Sequence, residues 1–190
     1  MDTKSKGGNN RPKYEPVTLN PQALHHYFIA EEASLNLLKP LYESCQDHDR
    51  QSLVITDFDI TPGETNSYQL VPRPKTQQFV SRLLKAPKSN TTVYLAGTEG
   101  FIWDTRNLAM NMGLDKRHIR MLEPISNTKR VICTHCFTVM DNVSERVVSC
   151  SGCHRELEVR NSFSKIHAAY PGVQANNFVK KSPATKDELF

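Results

Sequence analysis

Between residues 24 and 124, short apolar runs alternate with stretches whose apolar residues recur at helical spacing. That alternation predicts strands and helices taking turns along the chain. Tyr27-Phe28-Ile29-Ala30 reads as a first buried strand, and Leu35, Leu37, Leu38, Leu41 and Tyr42 as a short helix bent at Pro40. Residues 53–58 are β-branched and apolar enough for a central strand. A turn at residues 62–66 leads to a short edge strand at 68–71. Thr76 is placed to cap a helix whose core face is Phe79, Val80, Leu83 and Leu84. Residues 92–96 form the next strand. A helix carrying Phe101, Ile102, Thr105, Leu108, Ala109 and Met112 follows and stops at Gly113. The last strand covers 118–122, closed by Pro124. The expected fold is α/β, with a small, mostly parallel sheet over residues 21–126 covered on both faces.

Past residue 127 the pattern changes. Cys133-Thr-His-Cys136 and Cys150-Ser-Gly-Cys153 hold four of the five cysteines, in two C-x-x-C knuckles with thirteen residues between them. Such a knuckle can present both sulfurs on one face of a tight turn. Two facing knuckles make a tetrahedral thiolate site for Zn2+, with a single iron or a [2Fe–2S] cluster as alternatives. Val131-Ile132 leads into the first knuckle, and the second runs into Leu157-Glu158-Val159. Residues 137–140 and 146–148 flank Asp141-Asn142, a hairpin signal. This is the layout of a zinc ribbon over residues 127–173. Its apolar residues are too few to fold it alone, so the ion would supply folding free energy on the order of 10 kcal/mol. Residues 1–20 read as a polar arm, disordered or lying on a partner, and 174–190 as a flexible or partner-bound tail.

Composition narrows the possibilities. The chain has 190 residues, 38% of them hydrophobic, and eleven prolines, which suits one ordinary domain, a small metal-stapled module and irregular connections. No apolar run approaches the roughly 20 residues that cross a bilayer. The first residues lack the apolar core of a signal peptide. With paired cysteines, that pattern fits a reducing cytoplasm, where thiolates hold metal instead of forming disulfides. The net charge is +4, yet the cysteine module does not carry the surplus. Lys129, Arg130, Arg146, Arg155 and Arg160 meet Asp141, Glu145, Glu156 and Glu158, and four thiolates around a divalent ion add two negative charges. A basic face for nucleic acid is not expected there.

Two resemblances add to this reading. The run Val93 to Phe101, then Gly113 and His118-Ile119-Arg120-Met121-Leu122-Glu123, resembles the last third of the NAD-binding domain of ferredoxin-reductase-like flavoproteins. Where that family has a Gly-Gly-x-Gly-x-x-Pro turn after its first strand, this chain has Glu31-Glu32-Ala33-Ser34-Leu35-Asn36-Leu37. Where it has Cys-Gly-Pro, this chain has Ala96-Gly97-Thr98. Two carboxylates would face a diphosphate and the close backbone approach is lost, so the frame is expected without its cofactor and with no cofactor-binding residues.

The second resemblance is to the small subunit of bacterial dimethylamine monooxygenase. It is carried by Val131-Ile132-Cys133-x-x-Cys136, Val147-Val148-x-Cys150-x-x-Cys153, Leu157-x-Val159 and Phe163-Ser164-x-x-x-Ala168-Ala169-Tyr170-Pro171-Gly172-Val173. It implies a hetero-oligomer that uses NADPH and dioxygen to demethylate a secondary amine, giving methylamine and formaldehyde. Haem, flavin and iron–sulfur centres would then lie on partner subunits. This chain would be a non-catalytic scaffold with Cys133, Cys136, Cys150 and Cys153 as metal ligands and no catalytic residue. Two other functions remain open: a small electron carrier with thiolate-bound iron, and a zinc-ribbon factor associated with nucleic acid.

A few residues are ambiguous in sequence. Cys150-Ser-Gly-Cys153-His154 spells a c-type haem attachment, but that would leave Cys133 and Cys136 without a purpose. His135 and His154 flank a site that four thiolates already satisfy. His25 and His26 are adjacent on a strand and point to opposite faces. Cys45 has no base placed to activate it. Asp57, Asp59, Glu31, Glu32 and Glu99 would make the sheet's carboxyl edge acidic, either as solvated carboxylates or as a docking rim for a basic partner. Trp103, the only tryptophan, reads equally as core packing or an interface anchor.

Overall fold

A computed structural model describes residues 11–46, 49–64 and 68–175. The first of its two sheets is built from β1 (His25–Glu31), β2 (Arg50–Thr56), β3 (Gly63–Glu64), β4 (Gln69–Pro72), β5 (Thr91–Ala96) and β6 (Ile119–Met121). The spatial order is β3-β4-β2-β1-β5-β6, and only the β3–β4 pair is antiparallel. β1 and β5 are adjacent interior strands buried along almost their whole length, which is why they read as unbroken apolar runs.

Helices cover both faces. α2 (Thr76–Leu84) and α3 (Glu99–Asn111) pack Phe79, Val80, Leu84, Phe101 and Ile102 against Tyr27, Ile29, Ile55 and Leu95. On the other face, α1 (Leu35–Glu43) places Leu38 over Phe28, Ala30, Tyr94 and Ala96, and Val17 and Leu19 pack beside it. Alternate residues of β1 thus enter different cores, as the two-residue strand period requires. The mixed α/β architecture with a mostly parallel sheet is as expected from sequence.

Two local expectations change. The strand at 69–72 is not the edge, because the preceding turn region contributes β3 outside it. Thr76 does not cap α2. Its hydroxyl donates to the Arg73 carbonyl (2.7 Å), inside a tight turn at Arg73–Lys75 that Pro74 pre-sets for helix entry.

The second sheet contains β7 (Lys129–Cys133), β8 (Val139–Val143), β9 (Val147–Ser149), β10 (Glu156–Val159) and β11 (Tyr170–Gln174), in the order β8-β7-β11-β10-β9. β7–β8 and β9–β10 are antiparallel hairpins, and each hairpin turn is one cysteine knuckle. The hairpin expected across Asp141-Asn142 does not form, since β8 and β9 lie at opposite edges of the sheet. Asn142 instead takes φ 59° where the β7–β8 register shifts, making a bulge. β11 runs between the hairpins, parallel to β7 and antiparallel to β10.

The sheets meet on α3. Trp103 is 4% exposed and packs on Phe163 (ring centroids 5.3 Å), which packs edge-on against Tyr170 (5.0 Å). Val131, Val143 and Val159 complete this cluster, so Trp103 is a core residue of the seam. The expected arm is fastened over its described part, residues 11–20. Tyr14 donates to Glu99 Oε1 (3.0 Å), Trp103 Nε1 donates to the Tyr14 oxygen (3.0 Å), and the Asn20 N–H donates to the Tyr94 oxygen (2.9 Å). Residues 1–10 and 176–190 lie outside the described residues. Among the described residues, no helix is long and apolar enough to cross a membrane.

Candidate metal centre

The two knuckles are built alike. In the first, the Phe137 N–H donates to the Cys133 carbonyl and the Cys133 N–H to the Thr138 carbonyl, both at 2.9 Å. In the second, the His154 N–H donates to the Cys150 carbonyl and the Cys150 N–H to the Arg155 carbonyl, again at 2.9 Å. Phe137 (φ 60°) and His154 (φ 59°), each just after the second cysteine, take the left-handed conformation that closes the turn. The knuckles approach each other through Gly152: a Cβ there would lie 2.1 Å from Thr138 Oγ1.

This packing brings Cys133, Cys136, Cys150 and Cys153 together, with all four sulfurs within 4.8 Å of one another. Two of the four cross-knuckle edges are 3.8 Å, for Cys133–Cys153, and 3.6 Å, for Cys136–Cys150. A tetrahedron with metal–sulfur bonds of roughly 2.3 Å has edges of roughly 3.8 Å. The donor set and its spacing therefore fit a tetrahedral thiolate-bound ion, and the cluster could hold a metal. Cys133 and Cys150 are fully buried, and the His135 N–H donates to Cys133 Sγ (3.4 Å). Cys136 Sγ lies 3.2 Å from Thr138 Oγ1. The Thr138 hydroxyl and backbone favour the thiolate, drawing the Cys136 thiol down to about 6. Cys153 receives a backbone N–H at Arg155, yet burial, and then the neighbouring sulfurs, hold it up at about 11. A divalent cation bound here would take all four sulfurs as thiolates.

His135 and His154 are exposed and stand outside the sulfur cluster. Cys150 and Cys153 face the other knuckle, the arrangement of a shared centre and not of a haem attachment. Cys45 is half-buried beside α1, and burial pushes its thiol up. His26 is buried, with Nδ1 3.1 Å from the Tyr94 oxygen.

The acidic edge of the parallel sheet divides in two. Glu31 is 4% exposed: it accepts the Thr98 N–H at the start of α3, and the Arg73 guanidinium donates to both Glu31 and Asp57. A Cβ at Gly97 would lie 2.5 Å from Glu31 Oε2, so the carboxylate fills the space above that turn. Glu99 is 2% exposed and accepts from Tyr14 (3.0 Å) and Tyr170 (2.8 Å), with Arg11 at 3.7 Å. Burial, and then the Glu99 carboxylate, push both phenols well above the ordinary tyrosine range. These two carboxylates are structural, which corrects their reading as rim residues. Glu32, Asp57 and Asp59 remain exposed, and the Arg73 guanidinium holds Asp57 below the usual carboxylate range. Sequence reasoning did not find Arg73, Tyr14, Tyr170, Thr138 or Gly152. Only the glycine inside a knuckle carries a local signal.

Residues 130–173 match the family described as dimethylamine monooxygenase subunit DmmA-like, C-terminal domain. The resemblance drawn from the knuckles is borne out over that span, and all four cysteines lie within it. The heme-dependent oxidative N-demethylase delta subunit of Ectopseudomonas mendocina (strain ymp) is 35% identical over 100 residues, 53% of this chain and 57% of that protein. The chain thus matches only a little over half the length of that relative. Among solved structures, the siderophore-interacting protein SipS of Aeromonas hydrophila aligns with 15% identity and a TM-score of 0.40, over 56% of this chain and 51% of that one. A ferredoxin reductase in carbazole 1,9a-dioxygenase aligns with 14% identity and a TM-score of 0.41, over 59% and 35%. At that level the structural likenesses say nothing of what this chain binds or does.

Proposed function

We propose that this chain is a non-catalytic structural and docking subunit of a multicomponent oxidative N-demethylase. The complex would use NADPH and dioxygen to convert a secondary amine such as dimethylamine to methylamine and formaldehyde. One observation carries the reading: the four converging sulfurs fall wholly inside the span that matches the DmmA-like domain. The delta-subunit relative supports membership of an N-demethylating assembly. In this reading Cys133, Cys136, Cys150 and Cys153 hold one Zn2+ in a zinc ribbon spanning 127–173, and the ion clamps the knuckle ends of the two hairpins, which share little other core there. Beyond the cysteines, the only buried residue in that cluster is Leu157. Residues 21–126 form the scaffold, with the Glu31 carboxylate set over the Gly97 turn where a dinucleotide phosphate would need close backbone approach. Haem, flavin and iron–sulfur centres lie on the other subunits, and the assembly works in the cytoplasm.

The test is native mass spectrometry of the chain co-expressed with its genomic neighbours, together with elemental analysis. One zinc per chain and a stable hetero-oligomer are expected. Cys133→Ser and Cys150→Ser should each lose the ion and the complex. Visible thiolate–iron absorption of the purified chain would favour the electron-carrier reading instead, and a metal-free double variant that still assembles would refute the clamp.

A further inference from the structure

The crevice where the two sheets meet, at the carboxyl edge of the parallel sheet, has a volume of about 740 Å³ and is not used by the metal centre. Five carboxylates line it against three cations, in a chain whose net charge is +4. The cations are already engaged. Arg73 serves Glu31 and Asp57, and Arg130 serves Asp104 and Asp141. Lys129 donates to Asn161 (2.9 Å) and sits over the Tyr170 ring. By contrast, no hydrogen bond or ion pair among the described residues engages the side chains of Glu32, at the crevice, or Asp59, next to it in sequence. Beside them the mouth exposes large apolar side chains: Phe58 is 70% exposed and Ile125 38%. An aromatic ring flanked by unneutralised carboxylates is the complement of a segment with an apolar side chain between lysines or arginines.

We propose that this crevice docks a partner subunit, through a basic segment of that subunit whose apolar anchor packs on Phe58 and Ile125. The proposal rests on the subunit reading above and names the face used. Glu31 and Glu99 are saturated internally and take no part, so recognition falls on Glu32, Phe58 and Asp59. Their exposure also makes them replaceable without disturbing the fold. Asp57 contributes field, but its bond to Arg73 makes it a poor probe.

The experiment measures assembly of full-length chain with the co-expressed subunits, comparing wild type, Phe58→Ala, Glu32→Lys/Asp59→Lys, and Leu24→Ala as a control. Leu24 is 58% exposed at the opposite end of β1. Circular dichroism and zinc content should be unchanged in all four. Phe58→Ala is expected to weaken assembly about tenfold, the effect of losing one aromatic anchor. The double charge reversal should weaken it about a hundredfold at low salt and erase the salt dependence of the wild type. A photo-cross-linking residue at position 58 should join a lysine- or arginine-rich peptide of one subunit. Wild-type chain that joins no subunit overturns the subunit reading itself. Wild-type and variant chains that assemble equally well overturn the docking face alone, as do cross-links that fall only within this chain or between two copies of it.

Discussion

Replacing Tyr170 with phenylalanine tests how the two sheets are held together. Tyr170 is 1% exposed and donates to Glu99 Oε2 at 2.8 Å, across the seam between β11 and α3. The substitution keeps the ring on Phe163 and removes only the hydroxyl. Glu99, 2% exposed, is then left with Tyr14 and a distant Arg11. A hydrogen bond to a buried charge contributes about 1.5–3 kcal/mol, so a loss near the middle of that range, about 2 kcal/mol, is expected at neutral pH. For a chain of this size that lowers the melting temperature by about 4–8 °C. Trp103 reports directly, because its Nε1 donates to Tyr14 in the same network and no other tryptophan interferes. The pH dependence supplies a second readout. A phenol whose folded pKa is raised stabilises the fold fully below the unfolded value near 10. That stabilisation falls, by about 1.4 kcal/mol per pH unit for each such group, as pH rises from there towards the folded pKa. Urea melts of zinc-loaded protein, followed by Trp103 fluorescence at pH 7 and above pH 10, should show Tyr170→Phe less stable at pH 7 and with a shallower alkaline slope. A change under about 0.5 kcal/mol at pH 7, below the smallest buried hydrogen-bond effects, would refute the network as the joint.

Gly152→Ala should push the knuckles apart, because the new Cβ meets Thr138 Oγ1 at 2.1 Å; a zinc competition titration should show weakened binding, partly restored by adding Thr138→Ala. Trp103→Ala, which empties the seam, should cost about 3–5 kcal/mol in chemical denaturation of the zinc-loaded protein. Chelation of the metal should release amide protection in β7 to β10 while leaving β1, β2 and β5 protected, as read by hydrogen exchange; uniform loss would mean the sheets unfold as one unit.

The strands of the first sheet were legible because β1, β2 and β5 are buried on both faces and so appear as uninterrupted apolar runs. The knuckles were legible because cysteine spacing is a local property. What escaped depended on residues far apart in the chain. Glu31 and Glu99 look like edge carboxylates until Arg73, Tyr14 and Tyr170 arrive from 42, 85 and 71 positions away. β11 escaped because Pro171-Gly172 carries a turn signature. Only the two cysteine-knuckle hairpins, with their free inner edges, make an extended segment there useful. Asp141-Asn142 has the chemistry of a hairpin turn, but each hairpin is already closed by a knuckle, so the pair is used as a bulge.

α3 ties these features together. The N-terminus of such a helix is a natural site for an anion, since its first N–H groups have no partner within the helix. Here the anions are built in: Glu31 takes the Thr98 N–H, and Glu99 lies buried in the first turn. Trp103 follows one turn later on the same face as Glu99 and meets the second sheet. A helix start that could hold a free phosphate is here part of the internal joint between a parallel sheet and the sheet that carries the cysteine knuckles. Glu31→Ala therefore should not restore a ligand site at no cost. It leaves Arg73 with Asp57 alone and the Thr98 N–H unmatched, so a loss of about 2–3 kcal/mol is expected together with any gain in dinucleotide affinity. Calorimetric titration and thermal melts of the same variant decide the matter: unchanged stability would mean that the carboxylate merely occupies the crevice and does not hold it together.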